Sequence, residues 1–212
     1  LNNFAYLRRT QGDSREAELL FRESLEIIPL LNDADRTVVA TTRSTLASTI
    51  ADQGRFNEAL ETAALAVDEY RQRGETDTPS YGFALNVFGG FLTESGKLDE
   101  ADATLIEAGT IFSKYLSPTN LWIGDNLRNQ AISLELQGKY DLSIEKADAA
   151  ALMYLENFGK HYDNYPTVLI AKGLSLANSG RAKEAEPLLT EALELRTSSL
   201  PPSHFWVAAA KG

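Results

Sequence analysis

The sequence predicts an all-α fold: an α-α superhelix (right-handed solenoid) of five helical hairpins followed by the start of a sixth. The first observation is a glycine that recurs every 42 residues, at Gly12, Gly54, Gly96, Gly138 and Gly180. The second is a small residue, alanine in four of the five copies, five positions after each glycine. Hairpins of constant length with small residues at fixed sites are typical of stacked helical repeats, in which each hairpin buries its apolar face against the next.

The constant period predicts one solenoid over the whole chain, 1–212, without insertions. The predicted repeats cover 1–30, 33–73, 78–116, 118–158 and 161–199, and a partial sixth helix covers 203–212. Each repeat has a helix A before its turn glycine and a helix B after it. We number positions from that glycine, so position −10 lies ten residues before it and position +5 lies five residues after it. Because both ends fall inside a helix pattern, we expect the chain to be part of a longer protein.

Local signals begin and end the helices in the first three repeats. Each turn glycine accepts the left-handed backbone with which helices commonly end. In the first repeat, Asp13 or Ser14 caps helix B and Pro29 ends it. In the second repeat, helix B is predicted over 56–73. In the third, Thr78 caps helix A and a proline takes the first helical position, where its missing N–H costs little.

Similar signals organise the last two repeats. A Ser-Pro-Thr sequence at 117–119 opens the fourth repeat, and its helix B is predicted over 140–158. In the fifth, Pro166 lies in the first turn of helix A and Pro187 lies early in helix B. The double glycine Gly89-Gly90 follows no strand, so close helix packing explains it better than a phosphate-binding loop does.

Several motifs of this chain resemble the tetratricopeptide repeat (TPR). Asn2-Asn3-Phe4-Ala5 through Gly12, continued to position 27, follows the helix A, turn and helix B pattern of that family, and 86–108 and 171–195 follow it again. The resemblance is to the 42-residue form known from kinesin light chains and bacterial signalling proteins, and it covers nearly the whole chain. Against the family pattern, Leu142-Ser143 replaces the usual Glu-Ala, which predicts a looser fourth hairpin. Arg8 and Arg43 occupy sites that are apolar in other repeats, which predicts looser packing near the N-terminus.

The resemblance implies a protein–protein interaction module that holds a peptide or protein in its concave groove, which the A helices line. Asparagines at groove positions of such proteins hold bound peptides, because the amide offers both a donor and an acceptor. The peptide-groove residues predicted for this chain are Asn2, Asn3, Tyr6, Arg9, Ser48, Phe83, Asn86, Thr93, Arg128, Asn129 and Glu135. The same helix positions add Thr41, Ser44, Thr45, Val87, Gly90, Asp125 and Ile132 to the groove. In the fifth repeat, Ile170, Leu174 and Ala177 form either an apolar pocket or the contact surface for a sixth repeat.

The charge of the chain limits its partners. Thirty acidic residues against twenty basic ones give a net charge of −10, which disfavours nucleic acid and anionic membranes and favours basic or neutral proteins or peptides. Alternatively, the acidic residues only solvate the outer helix faces. No apolar run approaches the roughly 18 residues that span a bilayer, and we expect a cytoplasmic location.

Catalytic and metal-binding patterns are absent from the sequence. The two histidines, His161 and His204, lie in predicted connections between repeats, and there is no cysteine. We therefore expect no enzymatic activity, no metal and no cofactor. The alternative function is an architectural spacer or oligomerisation segment attached to a catalytic domain such as a Ser/Thr kinase. Self-association through exposed solenoid ends is a further possibility.

Overall fold

The computed structural model of the chain describes residues 1–28 and 37–199. Within these residues the chain forms ten α-helices and no strand, which confirms the all-α helical-repeat fold. The helices are α1 Asn2–Thr10, α2 Ser14–Ile27, α3 Thr37–Ala51, α4 Phe56–Arg73, α5 Pro79–Glu94, α6 Leu98–Tyr115, α7 Leu121–Leu136, α8 Tyr140–Asn157, α9 Tyr165–Asn178 and α10 Ala182–Ser199. The predicted sixth helix over 203–212, His204 and the proposed stop at Pro29 lie outside the described residues.

A left-handed glycine separates the two helices of every hairpin. The five turn glycines have φ between 74° and 85°, a conformation that other residues rarely adopt. After each of them, the next backbone N–H donates to the carbonyl five residues earlier, as Lys97 N–H does to Leu92 O at 2.9 Å. This bond satisfies a carbonyl that the helix end would otherwise leave unpaired.

Side-chain caps and prolines set other helix ends. The Asp13 carboxylate accepts from the Glu16 N–H and the Thr78 hydroxyl accepts from the Tyr81 N–H, which confirms both predicted caps. A proline opens α5, and another takes the second position of α9. Pro187 lies inside α10, in its second turn.

The chain divides into two compact units, Leu1–Tyr115 and Leu116–Gly212. Unit 1 contains α1–α6 and unit 2 contains α7–α10, and we describe each by itself. Both cores are built around fully buried alanines at repeated positions, such as Ala17 and Ala59 in unit 1 and Ala147 and Ala150 in unit 2. Small side chains at these sites let the helix axes approach closely.

Two glycines inside A helices lie at close helix contacts. A Cβ placed on Gly89 would lie 2.7 Å from the Leu105 side chain, and one on Gly173 would lie 2.6 Å from Leu189. Both contacts join position −7 of a helix A to position +9 of the helix B that follows. Packing, and not phosphate binding, therefore accounts for Gly89.

The departures from the repeat pattern are accommodated by polar contacts. Ser143 is fully buried; its hydroxyl donates to Ala131 O at 2.7 Å and accepts from the Ser175 hydroxyl at 2.8 Å. Arg43 forms an ion pair with Glu69 at 2.7 Å between α3 and α4. The serine thus links α7, α8 and α9.

Candidate functional site

The A helices of unit 1 enclose an open cavity of about 370 Å³. Residues from α1, α2 and α3 line it, and the first turn of α5 lies at its edge. No lining residue carries a charge. The lining residues are Asn2, Asn3, Tyr6, Phe21, Val38, Thr41, Thr42, Thr45 and Ser80.

Hydrogen bonds fix the polar wall of this cavity. Asn2 Nδ2 donates to Thr42 Oγ1 at 2.7 Å and thereby ties α1 to α3. Thr45 Oγ1 donates to the backbone carbonyl of Thr41 at 3.1 Å, and the Thr41 hydroxyl is 3.0 Å from the Tyr70 hydroxyl. Residues on two adjacent A helices are thus held in fixed orientations around the opening.

One acceptor on this wall has no partner. Four buried side-chain N or O atoms lack a hydrogen-bond partner among the described residues, and Asn2 Oδ1 is the only one of them on the cavity lining. An unpaired buried acceptor costs about 1–3 kcal/mol. Because this atom is closed to solvent, a ligand N–H reaches it only when the Asn2 side chain turns towards the opening.

The remainder of the cavity is apolar. Phe21 of α2 is buried at its base, whereas Tyr6 and Val38 are exposed at its sides. The aromatic and aliphatic surfaces face the same opening as the amides and hydroxyls. This combination suits an uncharged ligand that has both hydrogen-bonding groups and apolar side chains.

The cavity brings together one part of the predicted groove. Asn2, Asn3 and Tyr6 of α1 meet Thr41 and Thr45 of α3 there. Ser48 lies one turn further along α3, half-buried, and its hydroxyl donates to Ser44 O at 3.5 Å. Ser44, also predicted for the groove, is fully buried and is corrected to an interior residue.

Arg9 and Glu135, both at position −3, contact the next repeat and do not lie free in a groove. Arg9 Nε donates to Asp52 at 2.6 Å, and Asn178 Nδ2 donates to Glu135 at 3.0 Å. In both cases the partner occupies position −2 of the following helix A. Both hydrogen bonds are exposed, so the groove role of these residues stays a prediction; a side chain at −3 is close enough to the following helix to pair with it.

The predicted groove residues of α5 are also largely enclosed. Asn86 is 5% exposed and Thr93 is 3% exposed, and Thr93 Oγ1 donates to Gly89 O at 3.0 Å. Phe83 is half-buried. Helix α5 packs against α3, α4 and α6, so little of its circumference remains accessible. Asn86 and Thr93 are therefore corrected from groove positions to interior ones.

In unit 2, the corresponding side chains bind one another. Arg128 Nη2 donates to Asn129 Oδ1 at 3.0 Å. Asp125 Oδ1 accepts from the Tyr154 hydroxyl at 2.7 Å and from Asn164 Nδ2 at 2.8 Å. Burial raises the pKa of Tyr154, so its hydroxyl stays protonated and continues to donate. The predicted groove residues Arg128 and Asn129 thus belong to an internal polar network.

One repeated contact is made by different side chains in the two units. Position −13 of helix A meets position +16 of helix B as Thr41 with Tyr70 in unit 1 and as Asp125 with Tyr154 in unit 2. Both tyrosines are fully buried. The threonine carries no charge, whereas the aspartate is charged and also accepts a hydrogen bond from Asn164.

The sequence-based assignment missed four lining residues: Phe21, Val38, Thr42 and Ser80. Val38 and Ser80 both occupy position −16, one turn before position −13, which was included. Extending the i, i+3, i+4 series by one turn would have found them. Phe21 belongs to the apolar stripe of helix B, and that pattern alone does not distinguish a core residue from a residue at the base of a cavity.

Residues 1–28 and 37–199 contain no group of three or more His, Cys, Asp or Glu side chains that could hold a metal ion. Among the helices of those residues, none combines the length and apolarity needed to cross a membrane.

Comparison with known proteins gives one family match. Residues 122–198 match the sequence pattern of a family described as tetratricopeptide repeat. No curated protein matches the chain.

Several solved structures share the fold. BtubC (BKLC) from P. vanneervenii is similar over 94% of this chain and 80% of its own, with 21% identity and a TM-score of 0.71. A kinesin light chain of Podosopora anserina with nearly identical TPR-like repeats is similar over 93% of this chain and 94% of its own, with 15% identity and a TM-score of 0.65. The protein MamA is similar over 94% of this chain and 93% of its own, with 19% identity and a TM-score of 0.53. At these identities the likeness concerns the fold alone.

Proposed function

We infer the function of this chain from the premise that it is a tetratricopeptide-repeat protein, because such repeats generally serve as protein–protein interaction modules. We propose that the A helices of unit 1 bind an extended segment of a partner protein at the cavity described above. The observation that carries this proposal is the uncharged cavity in which Asn2, Asn3 and Tyr6 face Thr41 and Thr45.

The polar groups of the cavity suit a peptide backbone. An extended peptide presents N–H and C=O groups that have no partner within its own chain. The exposed amide of Asn3 can both donate and accept, and a turn of the Asn2 side chain would bring its unpaired Oδ1 to one such N–H. Recognition of this kind orients a segment without reading its side chains.

The apolar surfaces supply the selectivity. Phe21, Tyr6 and Val38 offer aromatic and aliphatic contacts for a side chain of the bound segment, and no lining residue offers a counter-ion. A buried charged side chain without a partner is strongly disfavoured. Of the basic and neutral partners that the overall charge allows, the cavity therefore favours a neutral segment with an apolar anchor.

The test is a titration of neutral, basic and acidic peptides from a display library against the full chain, measured by calorimetry. Asn2→Ala combined with Asn3→Ala should weaken the best binder by about tenfold or more, since each lost hydrogen bond to the peptide is worth about 1 kcal/mol. The matched control is Asn57→Ala, an exposed asparagine on α4 that does not line the cavity.

Two results would contradict the assignment. The first is that every peptide found binds equally well to the wild type and to the Asn2, Asn3 double variant. The second is that Asn86→Ala with Asn129→Ala, which alters α5 and α7, abolishes binding while the Asn2, Asn3 double variant does not. The cytoplasmic location remains a prediction from sequence, and a kinase or other catalytic domain in a longer protein remains a hypothesis.

A further inference from the structure

One face of helix B remains accessible in every repeat. Positions +7 and +14 are exposed in all five repeats, and no described residue at +4, +11 or +17 is buried. These positions follow the i, i+3, i+4 spacing that places residues on one side of a helix. We call them the outer B face.

The fourth repeat differs from the others on this face. Outside it, position +4 is always glutamate, position +11 is glutamate in three of four repeats, and position +14 is acidic in three of four. The fourth repeat instead has Leu142, Ala149 and Leu152 at these positions and Leu155 at +17. Helix α8 therefore carries an apolar stripe where its counterparts carry charge.

The leucines of this stripe are accessible. Leu142 is 50% exposed, Leu152 is 57% exposed and Leu155 is 43% exposed. A neighbouring hairpin does not cover this face: the hairpin of α3 and α4 has a neighbour on each side within unit 1, and α4 still exposes Leu65 and Asp68 there. A group of exposed leucines on one helix face is typical of a surface that binds another protein.

Carboxylates lie between and beside these leucines. The exposed acidic residues of α8 are Asp141, Glu145, Asp148 and Glu156. Lys172 of α9 pairs with Asp148, and Lys146 Nζ lies 3.7 Å from Glu145. Four carboxylates against two lysines leave this surface with an acidic excess.

The chemistry of the face favours a helical partner with basic flanks. The backbone groups of α8 bond within the helix, so an extended segment on this face would leave its own N–H and C=O groups without partners, whereas a helix satisfies them itself. Lysine or arginine beside the apolar stripe of that helix would meet the carboxylates. A second copy that presented the same face would oppose like charges, which disfavours symmetric pairing.

We propose that the outer B face of α8 binds an amphipathic helix of a partner protein, with an apolar stripe flanked by lysine or arginine. Leu152 and Leu155 pack against that stripe, and Leu142 extends the contact. From Leu142 to Leu155 the face is about 20 Å long at 1.5 Å per residue, so a helix of about four turns covers it. The proposal does not depend on the peptide cavity of unit 1.

The probe is a synthetic peptide of about 16 residues, with leucine at i, i+3, i+4 and i+7 spacing and lysine elsewhere. One comparison peptide has the same composition with its leucines spread around the helix, and another has glutamate in place of lysine. Each is titrated calorimetrically into the full 212-residue chain. The wild type should bind the first peptide at least about tenfold more tightly than either comparison peptide.

The decisive variant is Leu152→Glu combined with Leu155→Thr. It gives α8 the residues that the fifth repeat carries at the same positions, Glu194 and Thr197, and circular dichroism establishes that it is folded. Binding of the basic amphipathic peptide should weaken about tenfold or more, because two apolar contacts are lost. Since the variant adds a negative charge, attraction by charge alone predicts the opposite change.

The matched control is Leu65→Glu on α4, which also replaces an exposed leucine of the outer B face by glutamate. It should bind the peptide as the wild type does. Glu145→Gln combined with Glu156→Gln tests the carboxylates: it should weaken binding about fivefold at low ionic strength and less at high ionic strength.

Four results would overturn the proposal. The first is a wild type that does not bind the basic amphipathic peptide, and the second is equal binding to the wild type and the folded Leu152, Leu155 variant. The third is equal binding of the acidic peptide. The fourth is a wild type that sediments as a dimer while that variant is monomeric, which would mean that a second copy covers the face. Because Asn2→Ala with Asn3→Ala leaves α8 unchanged, it should not alter any of these measurements, so this proposal and the peptide cavity fail independently.

Discussion

In both units a side chain of a helix A bonds to a buried tyrosine hydroxyl, but that side chain is different in each. In unit 1, the buried Tyr70 hydroxyl meets Thr41, and the space beside it is an uncharged cavity. In unit 2, the buried Tyr154 hydroxyl meets Asp125, and Asn164 binds to the same carboxylate. The two units therefore differ at position −13 in whether the tyrosine's partner borders an open cavity or belongs to a set of hydrogen bonds within the chain.

If the two cores are equivalent, the same buried substitution should destabilise both units equally, and this is the largest effect we expect. Ala66→Arg in unit 1 and Ala150→Arg in unit 2 change the same repeat position, and both alanines are fully buried. Each should lower the free energy of unfolding by about 3–5 kcal/mol, because the side chain overfills the core and buries an unpaired charge. Urea unfolding measures the loss.

The controls for that pair are Ala103→Arg and Ala149→Arg, which alter exposed alanines on α6 and α8. Both should stay within about 0.5 kcal/mol of the wild type. A large difference between the Ala66 and Ala150 variants would show that the cores, and not only their A-helix surfaces, differ.

The next effect concerns the two tyrosine contacts directly. Asp125→Ala should cost about 2–3 kcal/mol, because it leaves the buried Tyr154 hydroxyl and the Asn164 amide without their acceptor. Thr41→Ala should cost only about 1 kcal/mol, because its hydroxyl lies on an open cavity where water can replace it. Equal losses in chemical unfolding would contradict the distinction between a closed network and an open cavity.

Placing the unit 2 residue at the equivalent position of unit 1 tests the role of position −13. Thr41→Asp gives unit 1 the acceptor that unit 2 uses, and Tyr70 retains a partner. A carboxylate in the cavity should weaken a neutral peptide by about tenfold, since the charge must be desolvated when the peptide binds. A basic peptide should bind more tightly instead, so calorimetry with both peptides reveals which class of partner the cavity prefers.

The smallest expected effect is a difference in pH dependence. Burial acts to raise the pKa of Glu18, but hydrogen bonds from Arg55, Gln53 and Arg22 outweigh it and the net pKa lies below the ordinary 4.5. The unfolded chain therefore binds the proton more readily, so this stabilisation is complete above pH 4.5 and is lost as the pH falls through the lowered value. Glu58 shares Arg55 and Arg22, and its pKa is also lowered by them, Arg55 first.

The fourth repeat has Ile144 at the position of Glu18 and should lack this component. Hydrogen exchange, corrected for the intrinsic effect of pH, should show that α2 and α3 lose protection on acidification before α8 and α9 do. Glu18→Gln should remove the difference. An unchanged pH profile in that variant would mean that other carboxylates dominate the acid response.

Much of the fold followed from the spacing of a few residues. The turn glycines and the small residues after them predicted ten helices, and Thr78 and Asp13 predicted helix starts, because these signals act within a single turn of chain. The site was predicted only in part. Asn2, Asn3 and Tyr6 line one cavity and their peptide-binding role stays a prediction, whereas Asn86, on the same repeat position as Asn2, is buried. Periodicity along one helix does not say how many neighbours enclose it.

The sequence by itself determined where helices begin, where they end and which positions approach a neighbour, since backbone conformation and side-chain size are local properties. Only the tertiary structure decided which polar groups are available. Asn2 Oδ1 is unpaired, whereas Asn129 Oδ1 accepts from Arg128, and Arg9 pairs with Asp52 from the next repeat. Those outcomes depend on which side chains from other helices lie within hydrogen-bond distance, and packing alone sets that distance.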